Sequence, residues 1–389
     1  MTIVEKRACY GCGACNAICA VNAITMQADA DGFLYPVIDD AVCVNCGRCK
    51  QVCPALQHTE QNYRETGYAV KLKDEAVRAN STSGGAFSAL ATLVLDKGGT
   101  VYGAAYDDAM KVIHTRIDSQ DDLNRLRGSK YVQSDTDGAF AAVADDLKNG
   151  RAVLFSGTPC QVEGLALYLA ARKIEPEKLL TCELLCHGAP SPLIWAEHIA
   201  HIEKVRGKKV VAYHARSKVK GWHEHNEMIV FENGKRESQS KLSQNCKDLF
   251  YGNLTIRPSC EQCPYAGHPG AADFTIGDCW GIEYTLPSFD DNKGCSLIIP
   301  NTEKADAAWE TIRDVFEVAE LPIDKQLKYN HYKPITPHPK RAQFWQDFHA
   351  HGFTFVTAKY AMDTPKGRLI YGAKKRLRRL LVKLHVLKP

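Results

Sequence analysis

Residues 9–19 read CYGCGACNAIC and residues 43–53 read CVNCGRCKQVC. Both runs have the spacing C-x-x-C-x-x-C-x-x-x-C: Cys9, Cys12, Cys15 and Cys19 in the first, Cys43, Cys46, Cys49 and Cys53 in the second. A 4Fe–4S cubane needs four thiolates at the corners of a tetrahedron. A tight loop supplies three of them, each separated by two residues, and the fourth Cys starts a helix and reaches the other cluster. The spacing therefore assigns Cys9, Cys12, Cys15 and Cys53 to one cluster, and Cys43, Cys46, Cys49 and Cys19 to a second. Zinc is the competing metal, but it wants four ligands in two pairs rather than two interleaved quartets. Gly11, Gly13 and Gly47 let backbone amides approach the sulfurs. Pro54 follows Cys53, whereas Ala20 stands after Cys19.

The near-duplicate runs make a bacterial-type two-cluster ferredoxin module. Between them Asp31-Gly32, flanked by Met26 and Phe33-Leu34-Tyr35, predicts a β-hairpin with Asp-Gly at its turn. The module occupies residues 1–56 and a polar linker follows at 57–66. Such a module moves electrons singly and has no organic substrate of its own, so the rest of the chain must supply the partner chemistry.

The whole chain has 389 residues, enough for two or three domains at roughly 150 residues each. Apolar residues make up 45% and charged residues 24%, ordinary for a globular protein. A net charge of +4 does not point to a nucleic-acid partner. No apolar run approaches the roughly 18 residues of a membrane span, and MTIVEKRACYGCG has no apolar signal segment. The expected location is cytoplasmic. The 16 cysteines then mean metal ligation or redox chemistry rather than disulfides.

Beyond the linker, strands are expected at 68–72, 101–106, 112–117, 152–155 and 179–185. Helices are expected at 86–95, about 138–147, and from Cys160 through Leu169. This alternation indicates an α+β chain with an α/β body. The loop Ser81-Thr82-Ser83-Gly84-Gly85 lies between strand and helix, where free amides suit an anion; an ordinary N-capped turn is the alternative. There is no G-x-G-x-x-G after a strand to support a Rossmann nucleotide fold. Cys160, Cys186 and the Cys260-x-x-Cys263 pair come from three loops. They could hold a third cubane, hold zinc, or serve as small buried hydrophobes. Cys182, Cys246, Cys279 and Cys295 read as buried or incidental.

Six ordered segments resemble one family, the coenzyme F-420 hydrogenase/dehydrogenase beta subunits. They are Ser83-Gly84-Gly85, residues 127–134 (RGSKYVQS), 155–161 (FSGTPCQ), 186–192 (CHGAPSP), 259–264 (SCEQCP) and 275–281 (TIGDCWG). With the ferredoxin module in front, the chain looks like the stand-alone bacterial form. Cys279 departs from the pattern, where an aromatic residue is expected before Trp280. The resemblance implies FAD beside a third 4Fe–4S cluster on Cys160, Cys186, Cys260 and Cys263. It implies flavin contacts at Ser81, Ser83, Gly84, Gly85, Lys130, Tyr131, Gly157, Thr158 and Pro159. Lys130 would steady flavin charge and His187 would deliver a proton to substrate; the bland readings are a solvated lysine and a histidine that orders the Cys186 loop. The implied partners are a ferredoxin-like electron donor and a small organic, sugar-related substrate of bacterial polysaccharide metabolism. Coenzyme F-420-linked chemistry and a non-catalytic electron-relay subunit are the alternatives.

The implied layout is a ferredoxin module at 1–56, a linker at 57–66, an N-terminal beta-subunit-like region at 67–148 and a C-terminal one, with flavin and third cluster, at 149–320. An extension at 321–389 carries a basic helix. Residues 366–388 hold nine Lys or Arg and no Asp or Glu. Ile370, Ala373, Leu377, Leu380, Leu381, Leu384 and Leu387 recur at helical spacing, with Lys374, Lys375, Arg378 and Lys383 on the other face. This reads as a basic amphipathic helix lying on an anionic membrane. Packing on protein is the alternative, and a nucleic-acid arm ranks behind both.

Overall fold

In a computed structural model of the chain, residues 2–58, 64–267, 272–330 and 333–383 are described. Residues 59–63 of the expected linker, and Leu384, Leu387 and Lys388 of the expected basic helix, lie outside them. The two cysteine runs fold around the predicted hairpin. β1 (Ile24–Ala28) pairs antiparallel with β2 (Leu34–Ile38), Ala28 opposite Leu34. Asp29 closes the turn, its carboxylate accepting from the amides of Asp31 and Phe33. Gly32 takes φ +81, and a Cβ there would stand 2.2 Å from Leu193 Cβ, so this glycine serves close approach as well as the turn.

The fourth cysteines behave differently. Cys53 precedes the Pro54–Gln57 helix, with proline at the first helical position. Cys19 instead follows the Ala14–Ala17 helix and starts no new one. The expectation that both would open helices is corrected here: Ala20 lacks the preset φ that Pro54 brings.

The body is a mixed α/β unit. Its strands are β3 (Thr66–Leu72), β4 (Thr100–Tyr106), β5 (Val112–Ile117), β6 (Val153–Gly157), β7 (Leu179–Leu184), β8 (Val210–Ser217), β9 (Asn226–Phe231), β10 (Arg236–Ser238), β11 (Phe274–Asp278), β12 (Ser296–Pro300) and β13 (Phe316–Pro322). Eight of them form one sheet in the order β13-β3-β12-β11-β7-β6-β4-β5, while β8, β9 and β10 form a separate antiparallel sheet. Within the large sheet β4, β6, β7 and β11 run parallel as neighbours. The flanking pairs are antiparallel. The segments expected between 66 and 185 lie within two residues of their expected bounds.

One face of the large sheet packs Val70, Leu154, Phe274 and Ile298 against Leu90 and Val94 of the Ala86–Leu95 helix and Trp309 of the Glu303–Ile312 helix. The other face packs Tyr102 and Phe155 against Val143 and Leu165. That same cluster contains Cys12, Ala14, Ile18 and Val52 of the cysteine-rich module. The module is thus part of the body's core rather than a bead on a tether. At the C-terminus the Pro365–Lys383 helix is present. Leu369 is 76% exposed and Leu377 55%.

The hairpin contact gives a test. Gly32→Ala pushes a methyl into Leu193, and overpacking of this kind costs about 1–3 kcal/mol. Gly234, at φ +76 with nothing within 4 Å of its would-be Cβ, carries the backbone strain alone. Thermal unfolding of the anaerobic protein should therefore show Gly32→Ala melting clearly below Gly234→Ala. Equal melting would remove the docking role of the hairpin.

Candidate redox site

The thiols of the expected quartets lie near enough to raise one another's pKa. Burial, with Cys9 and Cys53 adding to it, pushes Cys15 up to about 12. Cys12 is raised well above the usual range by burial, then by Cys15, and also by Cys160 and Cys9. Burial raises Cys49, with Cys46 and Cys43 adding to it. The Ala23 amide donates to Cys19 Sγ at 3.2 Å. Cys9 and Cys12 are buried, whereas Cys46 is exposed. The quartet expected of Cys43, Cys46, Cys49 and Cys19 therefore faces outward, and the Cys9 quartet faces the body.

The other four candidate thiols come from three loops that the fold brings together. Thr158 caps the Pro159–Ala171 helix: Pro159 takes the first helical position, and Gln161 Oε1 accepts from the Thr158 amide at 3.0 Å. Cys160 thus sits in the first turn, where the helix dipole favours a thiolate. Cys186 lies just beyond β7. Cys260 lies in the 3-10 turn Pro258–Gln262, and Cys263 follows it. Two backbone bonds join the last two loops, Ser191 N to Thr255 O and Arg257 N to Ala189 O, each 2.9 Å. Gly188, at φ +100, permits the approach: a Cβ there would stand 2.6 Å from Ile256.

Burial pushes Cys160 up to about 12, helped by Cys263, and Cys260 and Cys263 to about 11. Cys186 is raised well above the usual range by burial, then by Cys260, Cys160 and Cys263. Thiols that oppose one another's ionisation need a shared cationic centre before all can be thiolates. Among the described residues no three His, Cys, Asp or Glu side chains converge closely enough to hold a single metal ion. The donor set is four sulfurs from three loops, a set that a four-thiolate iron–sulfur core or a zinc ion can take.

These thiols form part of the wall of a cavity of about 330 Å³, within the range of ligand sites. It opens at the C-terminal ends of β6, β7 and β11, where open α/β sheets bind ligands. Ser81, Ser83 and Gly85 line it from one loop. Lys130 and Tyr131 line it from a second, and Gly157, Thr158 and Pro159 from a third. His187 lies beside Cys186 in the wall, its ring edge-on to Phe250 at 5.1 Å.

Two expected contacts change. The Gly84 amide, expected to face an anion, donates to Ser296 Oγ at 2.8 Å. A Cβ at Gly84 would stand 2.1 Å from Val70 O, because the loop is clamped between β3 and β12. The Ser81 and Ser83 hydroxyls likewise donate to Val77 O and Cys295 O. Residues 81–85 are thus an internally bonded turn whose edge lines the cavity. Lys130 is half-buried, and its Nζ donates to the carbonyls of Arg125, Leu126 and Arg127 at 2.9–3.1 Å. Burial lowers its pKa to about 7.

Other residues of the wall take no role from the sequence, although Arg127 and Ser259 stand in its family-like segments. His114 on β5 is buried; its Nε2 meets Ser156 O at 3.0 Å while Nδ1 has no partner. Burial lowers its pKa to about 4, so it is neutral at physiological pH. Ser259 Oγ is also buried without a partner. Arg127 donates to Ser88 Oγ at the cavity edge. Arg216 donates to Asp278 at 2.9 Å and lies 4.6 Å from the Trp280 ring. An orphaned imidazole nitrogen, an orphaned hydroxyl and two guanidinium groups fit a polar, anionic, partly aromatic ligand such as a flavin nucleotide. The four incidental cysteines, Cys182, Cys246, Cys279 and Cys295, are all buried.

The family described as coenzyme F420 hydrogenase/dehydrogenase, beta subunit, matches this chain in two parts: its N-terminal part over residues 67–140 and its C-terminal part over 150–325. Two 4Fe-4S dicluster domains match residues 8–56 and 35–84. A subunit of the F(420)H(2) dehydrogenase of Methanosarcina mazei is 26% identical over 198 residues, covering 47% of this chain and 54% of that protein. The chain thus spans about half the length of this curated relative. Among solved structures, a chain of the F420-reducing [NiFe] hydrogenase complex from Methanosarcina barkeri is similar at 18% identity, with a TM-score of 0.45. That likeness covers 68% of this chain and 84% of the other.

Iron content tests the site directly. The anaerobically purified protein should carry about twelve iron atoms, from three cubanes, and Cys260→Ser should bring it to about eight. Wild-type protein with a steady content near eight, unmoved by Cys260→Ser, would remove the Cys160/Cys186/Cys260/Cys263 cluster.

Proposed function

We propose, from the premise that the chain belongs to the coenzyme F420 hydrogenase/dehydrogenase beta-subunit family, that it is an iron–sulfur flavoprotein oxidoreductase. It takes single electrons from a ferredoxin-like donor and delivers them in pairs to a small organic acceptor. One juxtaposition carries this reading. The helix that carries Cys160 in its first turn packs against Cys12, a Cβ on Gly164 standing 3.1 Å from Cys12 Sγ. The same Cys160 lines the cavity. Thiols of the expected second, first and third cluster sites therefore run in sequence from the exposed Cys46 to a ligand-sized cavity. When bound, the clusters store electrons singly and FAD stores one or two, which is the coupling that such a reaction needs.

The chain's own residues supply binding and orientation. Arg127, at the cavity edge, is the cation for the flavin's phosphates. The neutral His114 offers Nδ1 as a hydrogen-bond partner to the ring system. His187 is held by Phe250 and Tyr251, next to a ligating Cys, where a proton can pass to a substrate. Lys130 acts indirectly, by fixing the 125–127 carbonyls and hence the loop that bears Arg127.

The basic C-terminal helix adds a location. Leu369, Ile370 and Leu377 are exposed in a segment with nine cations and no acids. Among the described residues no helix is long and apolar enough to cross a membrane. A peripheral seat on anionic lipid accounts for both features.

Two measurements test these readings. Purified protein should contain close to one non-covalent FAD per chain, and Arg127→Met should weaken its retention about tenfold, as expected for loss of a charge-assisted bond. Full flavin retention in Arg127→Met would place the phosphates elsewhere, and the absence of any flavin would favour a bare electron relay. The intact chain should also sediment with phosphatidylserine vesicles at low salt and release at high salt, since charge is screened within about 10 Å at 0.1 M. A chain ending before Lys366 should stay in solution with its iron intact. Loss of cofactors or aggregation on truncation would assign the apolar stripe to the core.

A further inference from the structure

Arg257 is 1% exposed, deep in the joint between the cysteine-rich module and the body. Its guanidinium donates to Cys9 O at 2.7 Å, Leu34 O at 2.9 Å and Gln133 Oε1 at 2.9 Å. It also lies 4.2 Å from the Tyr35 ring. Every one of these partners is neutral. Among the described residues no carboxylate forms an ion pair with it; Asp29 and Glu261, the acids of the flanking turns, pair with Lys6 and Arg7. A buried cation without a counter-charge is costly, and proteins retain one where an anion completes it.

Two thiolate sets are placed to be that anion. Arg257 bonds the carbonyl of Cys9 in the first quartet and lies three residues before Cys260. Iron–sulfur clusters with four thiolates are net negative, and each electron added makes them more so. A fixed cation in a low-dielectric joint stabilises that added negative charge and so favours reduction.

We infer that Arg257 is the internal counter-ion of the two clusters at Cys9/Cys12/Cys15/Cys53 and Cys160/Cys186/Cys260/Cys263, and that it holds their reduction potentials above that of the outer cluster. This rests on the cluster assignment proposed above. Arg257 is a positioning residue, since it touches neither substrate nor iron. Its charge draws electrons inward from the exposed quartet toward the cavity.

The test is dithionite titration of the anaerobic full-length holoprotein, followed by electron paramagnetic resonance, with iron counted in every sample. Arg257→Lys keeps the charge and loses the fork. Gln133→Glu keeps Arg257 and sets a carboxylate against it. The expected result is that Arg257→Lys leaves the two inner potentials close to wild type. Gln133→Glu should lower both by at least a tenfold fall in the reduction equilibrium, about 59 mV for one electron, with the outer cluster unmoved. Unchanged inner potentials in Gln133→Glu at full iron content would overturn the inference. So would equal displacement of all three clusters, or a larger shift in Arg257→Lys than in Gln133→Glu, because geometry rather than charge would then be responsible. If wild-type iron stands near eight with only two signals, the third cluster is what fails. The Cys9-quartet potential then still decides the role of Arg257.

Discussion

A buried guanidinium ties the cysteine-rich module to the body of this protein. Arg257 reaches the first cysteine loop through Cys9 O, the hairpin through Leu34 O and the body through Gln133. Gln133 in turn donates to Tyr10 O, and Thr136 Oγ1 donates to Cys12 O. The carbonyls of Cys9, Tyr10 and Cys12 are therefore held by side chains of the body. Those bonds matter because buried carbonyls left unpaired are costly. The same residue closes the Cys260 turn onto the Cys186 loop through its backbone amide. One position thus fixes both the docking of the module and the geometry of the third thiol set.

The cavity follows from the topology of the sheet. Parallel β6, β7 and β11 all end at the same edge, and each of their following loops brings a cysteine or a small residue to it. The antiparallel partners β12 and β3 close the other side and clamp residues 81–85 through Ser296 and Val70. Capping explains the local placement of Cys160: threonine, proline and glutamine stop the strand and start the helix, leaving the thiol in the first turn. The organic ligand and the metal would accordingly share loops. That arrangement suits transfer between them without any large movement of the chain.

Two differences between expectation and structure, at residues 81–85 and at Lys130, come from groups already bonded within the protein. A Ser/Gly loop between strand and helix has free amides only if nothing else takes them, and here a neighbouring strand does. A lysine in a motif is available to a ligand only if its ammonium is not already bonded, and three carbonyls of its own loop hold that of Lys130. Both outcomes depend on residues more than 200 positions away or on the path of a local turn. Residue type and spacing do not encode either.

Spacing alone was enough for the parts governed by local rules. Two interleaved C-x-x-C-x-x-C runs specify two cluster loops because a cubane's dimensions permit few backbone paths. The Asp-Gly hairpin and the strands and helices up to residue 185 follow from turn chemistry and periodicity. Tertiary structure decided the rest. It set the eight-strand order, with β3 between β12 and β13, and brought Cys160, Cys186, Cys260 and Cys263 to one wall. Among the described residues it also left His114 Nδ1 without a hydrogen-bond partner and Arg257 buried without a carboxylate partner. These features arise from contacts between segments distant in the chain. Burial and charge at such contacts depend on what packs there, and no local pattern records it.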